Sequence, residues 1–599
     1  MAEQKGTEIK MPDPQAISQT VTQIAEKSQA LVNDFLQRQA ADGSLGKEDR
    51  TNIGNAFLEM THKMMANPGK LVEAQLTLWQ GYMDLWQKNT MALFGQQGEP
   101  AVAPEGGDKR FKHEDWQENY LFNYIKQSYL LTARWVQGVV GEVEGLDEKT
   151  KKKIEFYTRQ FVDALSPTNF PITNPEVLRA TVESRGENLL KGLSNLLNDL
   201  ERGKGKLNIR MTDVEAFKLG ENVAATPGKV VYQNELMQLL QYEPSTEEVF
   251  KRPLLIVPPW INKFYILDLR EKNSFIKWWV EQGFTVFVIS WVNPDKKLAK
   301  KDFEDYMLEG PLAALDAIEQ ATGEREVNAV GYCLGGTLLG STMAYMTAKG
   351  DDRLKSGTYF TCMLDFAQPG EIEVFIDEDE ISVLEQRMDK TGYLEGADMA
   401  RTFNMLRAND LIWSFFINNY LLGKDPFPFD LLYWNSDSTR MPAKMHSFYL
   451  RNMYQKNLLK DPGGITLAGQ PIDLTKVKTP AYFLSAIEDH IAPWKGTYSG
   501  TQLFSGPTRF VLGGSGHIAG VINPPAGNKY FYYTGNKTPA APEQWLEAAK
   551  QNEGSWWPDW LKWVSKYAGN KIPARKPGEG GLKVIEDAPG SYVKSRLVK

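Results

Sequence analysis

The stretch "NAVGYCLGGTLLG", residues 328–340, decides the fold. An apolar run, "VNAVGYC" at 327–333, ends in Gly331-Tyr332-Cys333-Leu334-Gly335 and leads into the helical pattern "GTLLGSTMAYMTAKG". A strand that turns this sharply into a helix strains the backbone at its apex and thrusts the apical side chain out at the end of the strand. The flanking glycines leave room for strand and helix to approach each other. The helix N-terminus points at the apex, and its dipole favours a thiolate over a thiol. Cys333 is therefore the candidate nucleophile, a thiol where such turns more often carry a hydroxyl.

Working outward, short β-branched or aromatic runs alternate with amphipathic stretches from about residue 225 onward. "RPLLIV" (252–257), "FTVFVISW" (284–291), "VNAVGYC", "GTYFTCML" (357–364), "AYFLSAI" (481–487) and "TRFVLGG" (508–514) are expected to be buried strands. Helical patterns such as "FEDYMLEGPLAALDAIEQAT" lie between several of them, which implies a mostly parallel sheet covered on both faces. More than a hundred residues separate Leu364 from Ala481, whereas a simple crossover needs only about a dozen. This connection is expected to be an inserted lid over the strand ends. The expected division is a variable helical segment (1–95), a helical N-terminal domain (96–215), a first part of the α/β core (216–365), the lid (366–475), and a second core part with a C-terminal tail (476–599).

The N-terminal region has helical periodicity. Apolar residues fall at Ile17, Val21, Ile24, Leu31, Val32, Phe35 and Leu36, and again at Leu78, Met83, Trp86 and Phe94. The Gly- and Pro-rich "GQQGEPAVAPEGGDKR" (95–110) between helical regions is expected to be a loop. The face at Ile17–Leu36 suggests surface contact with an apolar particle or another subunit.

Composition excludes several classes of function. A net charge of −7 without a basic block argues against nucleic acid as the main partner. Two cysteines, Cys333 and Cys362, exclude a disulfide framework and a cysteine-rich metal site and fit a reducing cytosol. No apolar run reaches the ~18 residues of a membrane span, and the polar N-terminus does not read as a signal peptide. The 16 tryptophans and 28 phenylalanines suit a large core, with some left to line an apolar passage.

A nucleophile on such a turn needs a base and an orienter, supplied in the order nucleophile, acid, histidine. Of the five histidines, His62 and His113 fall in the helical N-terminal part and His446 in the lid. "AIEDHIAPW" places Asp489 just after one expected strand, and "GGSGHIAG" places His517 on a glycine-rich loop after the next. His517 is expected to be the base and Asp489 the acid, with His490 and Glu488 as rivals. Ser515 lacks the glycine and the following helix that a serine turn needs. Cys362, inside an apolar strand pattern, reads as a core thiol. The oxyanion donors are expected to be the N–H of Leu334 and one from the loop "IVPPWINKFY". Pro258 and Pro259 have no N–H, so Trp260 and Ile261 are both candidates.

Together, "GYCLGG", "PPWINKFYILDL", "FVISWVNPD", "LDFAQPG", "AIEDHIAPW" and "GGSGHIAGVINPP" resemble the polyhydroxyalkanoate synthases, as does "DKRFKHEDWQENYLFNYIKQSYLL" near the N-terminus. The resemblance covers roughly residues 108–570. It implies an α/β-hydrolase fold with an inserted lid behind a helical N-terminal domain. It also implies a cytoplasmic enzyme that polymerises 3-hydroxyacyl-CoA into polyester granules through a cysteine thioester. By the same resemblance Cys333 is the nucleophile, Asp489 the acid and His517 the histidine, and Trp413 falls where the family has a tryptophan linked to dimerisation. The single-chain length and the "PPWINKFYILDL" wording resemble the class I enzymes, which use short-chain monomers such as (R)-3-hydroxybutyryl-CoA. Gln368 stands where an acidic residue is expected. The family needs no metal or cofactor, since coenzyme A is the leaving group. The implied partners are the substrate, the growing polyester, a second subunit and the granule surface, with neither nucleic acid nor a transmembrane segment.

Overall fold

A computed structural model describes residues 51–94 and 99–596. The expected amphipathic face at Ile17–Leu36 lies outside them. The chain divides into two units. One holds the residues up to Asp213 together with Arg407–Phe427; the other holds Val214–Leu406 and Pro428–Lys599.

The first unit is helical, as its periodicity predicts, with α1 (Thr51–Ala66), α2 (Pro68–Leu93), α3 (Tyr120–Gly141), α4 (Glu148–Ala164) and α5 (Glu187–Arg202). The starts are set by side chains that satisfy free backbone donors. Asn119 accepts from the N–H groups of Leu121 and Phe122, and Asp147 from those of Lys149 and Thr150. Helices α2 and α3 approach closely at Gly81, where a Cβ would fall 2.8 Å from Leu131 Cδ1. Of the apolar residues singled out on α2, Leu78 is half-buried, while Met83 and Trp86 are exposed, as is Phe94 just beyond it. The buried face runs instead through Leu85 and Asn89.

The stretch 366–475, expected to be a lid, is divided between the two units. Arg407–Phe427 packs on α5: a Cβ at Gly192 would fall 1.8 Å from Tyr420 O, Asn188 Nδ2 donates to Leu421 O (2.8 Å), and Tyr420 Oη donates to Asp199 Oδ2 (2.6 Å). Contacts more than two hundred residues apart in sequence carry no local signal, so sequence periodicity assigned this segment to its neighbours in the chain.

The second unit is built on an eleven-stranded sheet. Its strands are β1 (Gly228–Gln233), β2 (Met237–Tyr242), β3 (Leu254–Val257), β4 (Val286–Trp291), β5 (Val327–Tyr332), β6 (Leu354–Phe360), β7 (Ala481–Ala486), β8 (Thr508–Gly513), β9 (Phe531–Thr534), β10 (Lys550–Glu553) and β11 (Glu586–Asp587). The order across the sheet is β10-β9-β8-β7-β6-β5-β3-β4-β2-β1-β11. The six central strands, β8 to β4, pair in parallel and correspond to the six expected from sequence. The flanking strands are antiparallel and their half-polar patterns hid them. Alternate residues serve opposite layers: Leu255 and Val257 join one core, Leu254 and Ile256 the other. In the second layer Phe275 stacks face to face on Trp557 (3.9 Å, 3°), beside Trp279, Trp556 and Trp560, so most of the tryptophan supply is core.

Candidate active site

Cys333 caps α6 (Leu334–Lys349) at the end of β5, with φ 52° and ψ −123°. That conformation is costly for a residue with a Cβ and is held by its surroundings. Cys333 N–H donates to Phe360 O of β6 (2.8 Å). A Cβ at Gly331 would fall 2.4 Å from Gly336 Cα, and one at Gly335 would fall 2.0 Å from Val257 O. The glycines of the motif therefore let the turn close on itself and on the loop after β3. Cys362 packs behind the turn against Gly336, fully buried; burial raises its thiol far above the ordinary range, as a core thiol requires.

The two loops after β7 and β8 bring the other groups to this apex. Asp489 is buried. Its Oδ1 accepts from the N–H groups of Ile491 (2.8 Å) and Ala492 (2.9 Å), and its Oδ2 lies 2.7 Å from His517 Nδ1. The His517 ring stacks on that of Tyr332, the residue before Cys333, and Tyr332 Oη donates to His517 O (3.2 Å). Burial opposes a charge on that ring, but Asp489 and Cys333 outweigh it and raise its pKa from 6.5 to about 10. Imidazole and carboxylate are thus paired beside the apex that carries the thiol.

The other residues singled out from the sequence lie in different settings. Glu488 is exposed and its N–H is tied to Ser515 O. His446 is buried, and burial lowers its ring to about 4. Ser515 has φ 69° and sits in the turn that precedes His517. Trp413 lies in the helical unit, half-buried, with its ring edge-on to Phe416 at 5.6 Å.

Of the donors named for an oxyanion, Leu334 directly follows the apex, and Trp260 and Ile261 belong to the loop whose start, at Val257 and Pro258, closes on Gly335. Leu334 is the first residue of α6, where a backbone N–H has no partner within the helix. Trp260 and Ile261 lie in the loop after β3, and their N–H groups meet no acceptor among the described residues. The carbonyls of this loop are pinned from outside: Trp291 Nε1 donates to Pro258 O (2.8 Å), Thr439 Oγ1 to Ile261 O, and Trp434 Nε1 to Lys263 O (2.8 Å).

Sequence reasoning missed two tyrosines of the insertion between β6 and β7. Residues Ala443–Tyr449 are α-helical and Leu450–Gln455 continue as a wider π turn. Residues five apart face each other in such a turn, so Tyr449 and Tyr454 meet at 5.3 Å, with Phe366 and Trp260 packed against Tyr449. Burial raises both phenols, which keeps them protonated. At the α-helical period, a spacing of five does not suggest a shared face. Among the described residues no group of three or more histidines, cysteines and carboxylates could hold a metal.

A strand–cysteine–helix apex in a mainly parallel sheet, with an acid and a histidine delivered from later strand ends, defines an α/β-hydrolase-fold protein. Residues 260–524 match the alpha/beta hydrolase fold model, and residues 107–279 match that of the poly-beta-hydroxybutyrate polymerase (PhaC) N-terminus. The chain is 50% identical over 586 residues to the poly(3-hydroxyalkanoate) polymerase subunit PhaC of Rhizobium meliloti, covering 98% of this chain and 96% of the relative. It is 49% identical to the poly(3-hydroxyalkanoate) polymerase of Methylorubrum extorquens, covering 98% of each. It is 42% identical to the PhaC subunit of Cupriavidus necator, over 88% of this chain and 89% of that one. The chain belongs to the poly(3-hydroxyalkanoate) polymerase family.

Proposed function

We propose that the protein polymerises 3-hydroxyacyl-CoA, with (R)-3-hydroxybutyryl-CoA as its short-chain substrate, into polyhydroxyalkanoate and releases coenzyme A, through a thioester on Cys333. The observation that carries the reading is the Asp489–His517 pair (2.7 Å) beside the strand–turn–helix apex of Cys333, in a chain of this family.

The proton held by His517 leaves the Cys333 sulfur as the thiolate. Its electron pair attacks the thioester carbon, and the carbonyl oxygen takes the negative charge against Leu334 N–H and an N–H of Trp260 or Ile261. Collapse breaks the bond to the coenzyme A sulfur, and that sulfur takes the proton from His517. The acyl group now sits on Cys333 in a bond of similar energy to the one broken, so it stays activated. The ring, now neutral, accepts the proton of an incoming hydroxyl from a monomer or the chain end. That oxygen attacks the acyl carbon, an ester forms, and the thiolate and charged ring are restored. Asp489 orients the ring and offsets its charge. The aromatic wall of Trp260, Phe366, Tyr449 and Tyr454 keeps water from the acyl-enzyme.

The same reading makes the enzyme a cytoplasmic homodimer at the polyester granule surface, with Trp413 at or near the dimer contact. An exposed row on α2 supports a surface role: Val72, Leu76, Trp79, Met83 and Trp86 recur every three or four residues, and Trp79 and Trp86 are 60% and 61% exposed. Among the described residues no helix is long and apolar enough to cross a membrane.

The purified protein incubated with 3-hydroxybutyryl-CoA is expected to release thiol and raise turbidity together. Thiol release without polymer would instead make it a thioesterase.

A further inference from the structure

The loop that offers Trp260 and Ile261 is tied at its far end to a buried charge pair that the chemistry does not use. Lys263 lies two residues beyond Ile261 in an apolar run, yet its side chain is 2% exposed. All three of its ammonium protons have acceptors: Asp437 Oδ1 (2.7 Å), Val593 O (2.7 Å) and Ser595 O (2.8 Å). Asp437, fully buried, accepts on its other oxygen from Tyr265 Oη (2.9 Å) and has Arg596 Nε at 3.7 Å. Three segments distant in sequence therefore meet at one ammonium group: the loop after β3, the 434–439 segment, and the C-terminal tail.

The same 434–439 segment supplies Trp434 and Thr439, the side chains that hold the carbonyls of Lys263 and Ile261. A peptide plane is rigid, so a pinned carbonyl sets the N–H of the residue that follows it. Thr439 Oγ1 also reaches Trp260 O (3.5 Å), whose plane carries the N–H of Ile261, while Ile261 O and Lys263 O share planes with the N–H groups of Asn262 and Phe264 and hold the rest of the loop. Moving Asp437 moves both of those anchors. Buried ion pairs cost desolvation and seldom add net stability over apolar packing. What they do add is a fixed geometry, because a buried ammonium accepts only a few arrangements of its acceptors.

We propose that Lys263 and Asp437, closed by the backbone carbonyls of Val593 and Ser595, form a clamp that positions the amides of the Trp260–Ile261 loop for acyl transfer, so that the C-terminal tail is part of the acylation machinery. The pair touches neither substrate nor the reacting atoms; its members are positioning residues. The clamp rests on Cys333 as the acyl acceptor and does not depend on whether polymer or free acid is the product.

Two full-length variants separate positioning from bulk stability. Lys263→Met removes the cation at similar length. Val593→Asp places a carboxylate at a buried tail position and drives the tail from its seat while leaving the pair intact. Three measurements are made on each: the rate of coenzyme A release from 3-hydroxybutyryl-CoA, the rate of Cys333 alkylation by iodoacetamide, and amide hydrogen exchange of the 258–265 peptide. Alkylation needs the thiolate but no oxyanion donors. Loss of an oriented donor costs roughly two to three orders of magnitude, and a partial misalignment should show as a fall of at least about tenfold. The expected result is slower coenzyme A release, unchanged alkylation and faster exchange in 258–265 in both variants. Coenzyme A release and alkylation falling together, or exchange in 258–265 unchanged, would overturn the clamp. Coenzyme A release without polymer in the unmodified protein would remove the polymerase reading and leave this comparison intact.

Discussion

Cys333 has a backbone that disfavours its own side chain, and its neighbours hold it there. Asp489 and Cys333 together let His517 keep its proton far above the ordinary imidazole range. The consequence for stability has a definite sign. Between pH 6.5 and about 10 the folded chain binds a proton at His517 that the unfolded chain has lost. The stabilisation from this ring is thus complete below 6.5 and is lost as pH rises through about 10. The slope of melting temperature against pH across that window is expected to differ in Asp489→Asn, which lacks the charge that holds the proton. Parallel slopes would contradict the ion-paired ring. At this scale the sequence was highly legible. A thiol on a strand–turn–helix apex and two groups on later strand ends are local patterns, and the apex at Cys333 and the contact of Asp489 with His517 follow those patterns. Tyr449 and Tyr454 were not legible, because their meeting depends on a π turn that sequence periodicity does not encode.

At the scale of elements, the six parallel strands were readable because burial on both faces leaves unbroken apolar runs. The antiparallel wings were not, since strands such as "MQLLQY" mix glutamines into the run; Gln238 finds its partners on Gln233, Glu586 and Ser591. The insertion between β6 and β7 shows the sharper limit. Its existence followed from length alone, but its division between two units rests on contacts such as Gly192 with Tyr420. Gly192→Val is expected to push Arg407–Phe427 off α5, at a cost of about 1–3 kcal/mol for overpacking. Limited proteolysis should then cut within 407–427 sooner than in the parent. An unchanged cleavage rate there would mean that the close contact at Gly192 does not hold the segment.

For the whole molecule, two features link the chain to its surroundings: a helical unit that shows an apolar row to solvent, and a catalytic unit walled with aromatic residues. The row on α2 was visible as periodicity, but periodicity alone could not tell an inward face from an outward one. Replacing Trp79 and Trp86 together by Glu should reduce co-sedimentation of the protein with polyester granules while leaving coenzyme A release from soluble substrate unchanged. Equal sedimentation of variant and parent would remove α2 from the granule contact. The central claim, that the growing acyl chain rides on Cys333, is tested most directly by rapid acid quenching of the protein with 3-hydroxybutyryl-CoA, followed by mass analysis of the peptide containing Cys333. The expected result is a hydroxybutyryl group on Cys333, removed by hydroxylamine and absent from Cys333→Ala, which also makes no polymer. Polymer formed by Cys333→Ala, or an acyl group found on Cys362 or Ser515 instead, would contradict it.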